Sequence, residues 1–103
     1  MRILISVSNS EPTGELRAML QANGVPNPVI DALLKAIAGA NTTSDVSARI
    51  YANHMLLAYR EYGIEGVVSQ TMYLLLNLKR WQGEEAREAK KILNKWVKST
   101  IKG

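Results

Sequence analysis

Glycines at positions 24, 39, 63 and 83 cut this chain into pieces of helix length, and within each piece the apolar residues recur at intervals of three and four. That pattern constrains the fold more than any other feature, because each piece has one stripe to bury and a short connection to its neighbour. Leu16, Met19 and Leu20 mark a helix over residues 11–22, with Asn23-Gly24 as a left-handed stop. Asn27-Pro28 reads as the next start, Asn as cap and Pro at the first helical position. Val29, Ile30, Leu33, Leu34 and Ile37 follow as a stripe until Gly39. Thr42 and Asp45 resemble a capping box and open a helix expected to run to Tyr62, where Gly63 ends it.

Residues 64–82 are apolar almost all round, through Val67, Val68, Met72, Leu74, Leu75, Leu76 and Leu78. Such a helix is buried on several sides, either centrally or at a subunit interface. Gly66 marks a tight corner or a close backbone approach. The last helix opens with Glu84, Glu85 and Glu88 and closes with Lys95, Lys98 and Lys102, matching the helix dipole. The expected fold is all-α, a compact bundle of about five helices in one domain spanning residues 1–103. Ile3, Ile5 and Val7 alternate in the first ten residues, which read as a short extended arm or strand.

Charge is distributed unevenly along this frame. From Lys79 onward, eight Lys and Arg face three acids, a balance of +5, whereas residues 1–78 carry five against six, a balance of −1. The basic end is therefore residues 79–103. Charge concentrated in this way fits a polyanion partner, most often the backbone of RNA or DNA. Lys79, Arg80, Arg87, Lys91, Lys95 and Lys98 are the candidate phosphate contacts, with Asn94 and Lys102 on the same stripe. The plainer reading is a solvated face with dipole-matched ends. Trp81 could stack on a base or cover an edge of the core; Trp96 reads as core.

Tyr51, Met55, Ala58 and Tyr62 share one helical face, which is either packing or, with Val67 and Met72, an interface to other protein subunits or to a second copy. His54 is the only histidine and there is no cysteine, so no catalytic or metal-binding set is apparent and no cofactor is implied. No apolar run approaches the length that spans a membrane, so a membrane partner is not expected, and a cytoplasmic location is.

The order Thr42-Thr43-Ser44, a helix carrying Arg49, an apolar helix with Tyr73 and then a basic terminal helix resembles the small helical subunits of CRISPR effector complexes. That resemblance covers about the last sixty residues and implies an antiviral-defence protein that uses basic faces on guide or target nucleic acid. Glu61-Tyr62-Gly63-Ile64-Glu65-Gly66, with Tyr73 and Leu76 downstream, is similar to a stretch in the helical coat proteins of rod-shaped archaeal viruses, which implies DNA wrapping and a place in the virion. The expected function is a non-catalytic, nucleic-acid-associated subunit of a larger assembly. The alternatives are a DNA-wrapping coat protein and a helical protein-interaction module without nucleic-acid function.

Overall fold

The computed structural model describes residues 11–102, and the expected N-terminal arm lies outside them. Among the described residues the fold is all-helical, with six helices rather than about five: α1 (Glu11–Ala22), α2 (Asn27–Ala40), α3 (Val46–Asn53), α4 (Met55–Tyr62), α5 (Ile64–Leu76) and α6 (Glu84–Lys102). The additional helix comes from a break at His54 (φ −116°, ψ 22°). There the imidazole Nδ1 lies 2.6 Å from the Ile50 carbonyl, and the His54 amide turns instead to Tyr51, at 3.5 Å. A side chain that takes the i−4 carbonyl displaces the backbone bond that would continue the helix.

Asparagine side chains also bond back at helix ends, without always displacing the backbone: at Asn23 and Asn41 the amide N–H still donates to the same carbonyl, at 3.1 and 3.2 Å. Asn23, Asn41, Asn53 and Asn77 each donate through Nδ2 to the carbonyl four residues back, at 2.8, 2.9, 2.8 and 2.8 Å. Each stands at or just beyond a helix end and adds a side-chain donor to a carbonyl of the last turn. α5 ends at Leu76, short of the expected Gln82, and the Asn77 amide there turns to the Leu74 carbonyl at 3.0 Å. Gly24 (φ 77°) supplies the left-handed stop expected of it, and Gly63 (φ 73°, ψ −157°) ends α4 as expected.

Two expected caps differ in detail. Pro26, not Asn27, is the N-cap of α2, and Asn27 is already helical. Asp45 alone caps α3, its carboxylate accepting from the Ala48 amide at 3.2 Å, while Thr42 bonds back to the Gly39 carbonyl at 2.7 Å.

The packing follows the stripes. α5 sits centrally, against α3 and α4 on one side and α6 on another; α2 packs on α6, α3 and α1. Leu20, Ile30, Leu33, Met55, Val67, Leu74, Leu78 and Leu93 are fully buried between them. Thr71 is the buried polar side chain of this core, and its hydroxyl donates to the Val67 carbonyl at 2.7 Å. None of the described helices is long and apolar enough to cross a membrane.

Two joints hold α5 in place. At the α4–α5 corner, a Cβ on Gly66 would lie 2.4 Å from the Ala58 carbonyl oxygen and 2.9 Å from the Tyr62 Cβ, so the two backbones meet directly. At the α5–α6 turn, Trp81 lies on α2 where Gly39 leaves room: a Cβ there would come within 2.4 Å of the indole. Gly39 is thus a contact position inside α2, not the stop expected from sequence.

Candidate nucleic-acid interface

α6 sorts its residues by face. Ala86, Ala89, Leu93 and Val97 are buried, with Ile92 and Trp96 half-buried beside them. At 100° per residue, Arg87, Lys91, Asn94, Lys95 and Lys98 fall within about 100° of arc, centred opposite that packed face. All five are exposed. The stripe belongs to a helix about 28 Å long, and no acid follows Glu88 in the sequence.

None of the four cations on this stripe is engaged in an ion pair among the described residues. Among the described residues the pairs are Arg17–Asp31 at 3.3 Å and Lys35–Glu85 at 3.5 Å, and neither touches the stripe. A surface of exposed, uncommitted ammonium and guanidinium groups can bind phosphate oxygens without first breaking internal contacts.

Lys90 is the exception on this helix. Its ammonium donates to the carbonyls of Leu78 and Trp81, at 2.7 Å each, and lies 5.9 Å from the centre of the Trp81 ring. Burial lowers its pKa from the ordinary 10.5. This clamp holds the α5–α6 turn, with exposed Lys79 and Arg80, beside α6 rather than beyond its end. Arg80 extends toward the start of α3, with Nη1 at 3.5 Å from the Ser44 hydroxyl. Trp81 is half-buried and packed against the core, so its Gly39-facing side is closed to a base.

The expected protein-interface residues divide. Met55 and Val67 are 2% and 0% exposed inside the single chain, so neither has surface to offer a partner. Met72 is half-buried; Tyr51 is half-buried and stacks on Tyr73 at 5.6 Å between ring centres. Only Tyr62, at 73%, is fully presented. Of the apolar side chains that do face outward, Tyr73 and Leu76 lie on the apolar helix expected at the core or at an interface, whereas Val46, Ile50 and Leu57 were missed. A signal for them exists in α5, where Glu65 and Ser69 mark the solvent side and Tyr73 and Leu76 continue that line at helical spacing.

His54 lines a groove of about 520 Å³ on this side, with Leu57, Glu61, Tyr62, Glu65 and Tyr73. Among the described residues no group of three or more His, Asp or Glu could hold a metal ion. No protein-family model matches the chain, nor does any curated protein or solved structure.

Proposed function

We propose that this protein is a non-catalytic, nucleic-acid-associated subunit of a larger assembly, binding the phosphate backbone through α6. The observation that carries the reading is the stripe of Arg87, Lys91, Lys95 and Lys98, exposed, without an ion pair among the described residues and opposite the packed face of its helix. Lys79 and Arg80 flank it from the clamped turn. Each neutralised phosphate releases condensed counterions, so four to six contacts on duplex DNA give a log–log salt slope of roughly −4 to −5. Asn94 is the only uncharged polar side chain among the stripe residues, so contacts to the backbone dominate and base sequence matters little. The resemblance to small subunits of CRISPR effector complexes is in keeping with this role and is part of the proposal.

The test is fluorescence anisotropy with single- and double-stranded DNA and RNA across a salt series. Binding should be sub-micromolar at low salt and steeply salt-dependent. Lys91→Glu/Lys95→Glu/Lys98→Glu should weaken it at least a hundredfold, with circular dichroism confirming that the helices persist. Absence of binding by the native chain at low salt rejects the reading.

A second reading has its own observation. Six large apolar side chains face outward from α3, α4 and α5, as a protein-interaction module requires. Under that reading the triple variant keeps its partner and only non-specific polyanion binding is lost.

A further inference from the structure

Among the described residues every large hydrophobic that is strongly exposed belongs to three consecutive helices: Val46 and Ile50 on α3, Leu57 and Tyr62 on α4, Tyr73 and Leu76 on α5. None belongs to α1, α2 or α6. These helices pack on one another, and Tyr51 of α3 stacks on Tyr73 of α5. Of the six, Leu57, Tyr62 and Tyr73 line one groove, and Leu76 continues the exposed line of Glu65, Ser69 and Tyr73 along α5, so these four share one face. With a fully exposed large side chain taken at roughly 180 Å², the fractional exposures of these four amount to about 400 Å². A standard interface needs about 800 Å² from each partner, so this apolar face already supplies about half of one.

The face has a direction. Glu61 and Glu65 stand at its α4–α5 end, beside Tyr62. Its other end is basic: Arg80 reaches Ser44, two residues before exposed Val46, and Lys79 is next to it. The apolar residues lie between. An acidic end, an apolar middle and a basic end are self-complementary under a two-fold axis through the middle, because α5 then runs antiparallel to its copy and each acidic end meets a basic one.

We propose that the α4–α5 face is a homodimer interface, in which Glu61 and Glu65 of one copy pair with Lys79 and Arg80 of the other around a centre of Leu57, Tyr73 and Leu76. This names the partner that the assembly half of the proposed function leaves open. No α6 residue lines the groove, so two copies would keep both α6 stripes outward; with Lys79 and Arg80 engaged across the dimer, the four cations of each stripe carry the phosphate contacts. Two linked stripes on one polyanion bind more tightly than one, without any new contact.

The test uses the full chain, free of nucleic acid, in size-exclusion light scattering and sedimentation over a concentration series at low salt. The native chain should show a reversible monomer–dimer equilibrium. Leu57→Asp/Leu76→Asp, both at exposed positions, should weaken it by roughly tenfold or more with unchanged circular dichroism. Glu61→Arg/Glu65→Arg and Lys79→Glu/Arg80→Glu should each weaken it by about tenfold. Mixing those two charge variants should restore the dimer, since each then offers the end the other lacks.

A native chain that is monomeric throughout the series overturns the proposal. So does a dimer indifferent to the leucine variant, or one in which mixing restores nothing. The two readings fail separately: loss of the dimer with intact nucleic-acid binding removes only this inference, and a dimer that binds no nucleic acid removes only the polyanion role.

Discussion

The two ends of α5 are held in different ways. At its start, Gly66 lets the backbone of α5 touch the Ala58 carbonyl of α4, so the joint consists of main chain against main chain. At its end the joint is built from side chains: Trp81 covers Gly39, and the Lys90 ammonium gathers the carbonyls of Leu78 and Trp81. A main-chain joint has nothing that can rotate away, so a perturbation there moves a helix. A side-chain joint can yield by changing a rotamer. The first should therefore be brittle and the second compliant, although both fix the same helix.

The sharpest way to break this contrast is Gly66→Ala. The added Cβ meets a backbone oxygen, and overpacking of this kind costs about 3 kcal/mol or more. Alanine recovers about 1 kcal/mol of helix propensity, leaving a net loss of at least about 2 kcal/mol. In a domain of this size that lowers Tm by roughly 10 °C, read by thermal circular dichroism. A change of less than a few degrees would mean that the α4–α5 corner gives as readily as the other.

Next in size is Lys90→Met, which keeps much of the apolar stem and removes the ammonium. Hydrogen bonds to charged groups contribute about 1.5–3 kcal/mol. The turn carbonyls can turn to water once released, so the expected loss lies near the lower figure, about 1.5 kcal/mol by urea denaturation. Lys90→Ala should lose more, because it also strips the stem from the flank of Trp81.

Much of this architecture was legible in sequence. The apolar stripes located the helices, Gly24 and Gly63 ended theirs, and Gly66 carried the signature of a close approach. The break at His54 was not legible, since it depends on a side chain winning the Ile50 carbonyl from the backbone. Asparagine shows why such contests resist local reading. Asn94 donates to the Lys90 carbonyl at 2.9 Å, as Asn77 does to that of Tyr73 at 2.8 Å, yet α6 continues and α5 stops. The difference is tertiary: beyond Asn94 the helical turn buries Val97, whereas beyond Asn77 it is Leu78 in a non-helical turn that is buried.

At the candidate site the outcome was similar. The basic stripe could be read from spacing alone, because surface faces are set by periodicity. Lys90 could not be separated from its neighbour Lys91, because its role depends on a turn folding back over it. Met55 and Val67 passed for interface residues because an apolar helix shows no difference between a core face and a partner's face until its neighbours are placed.

The smallest effect is the most discriminating for the compliant joint. Gly39→Ala places a Cβ within 2.4–2.5 Å of three indole atoms of Trp81, a clash as short in distance as the one at Gly66. Trp81, however, is a half-exposed side chain that can swing outward. Lost packing then costs about 2 kcal/mol, and the helix gains about 1 kcal/mol from alanine inside α2. The net loss should be only about 1 kcal/mol. In a Trp81→Ala background the clash has no partner, and the same Gly39→Ala change should stabilise by up to about 1 kcal/mol. Urea denaturation of the four members of this cycle measures the reversal of sign. If Gly39→Ala destabilises equally in both backgrounds, the indole is not what the glycine accommodates, and the distinction between a brittle and a compliant end of α5 fails.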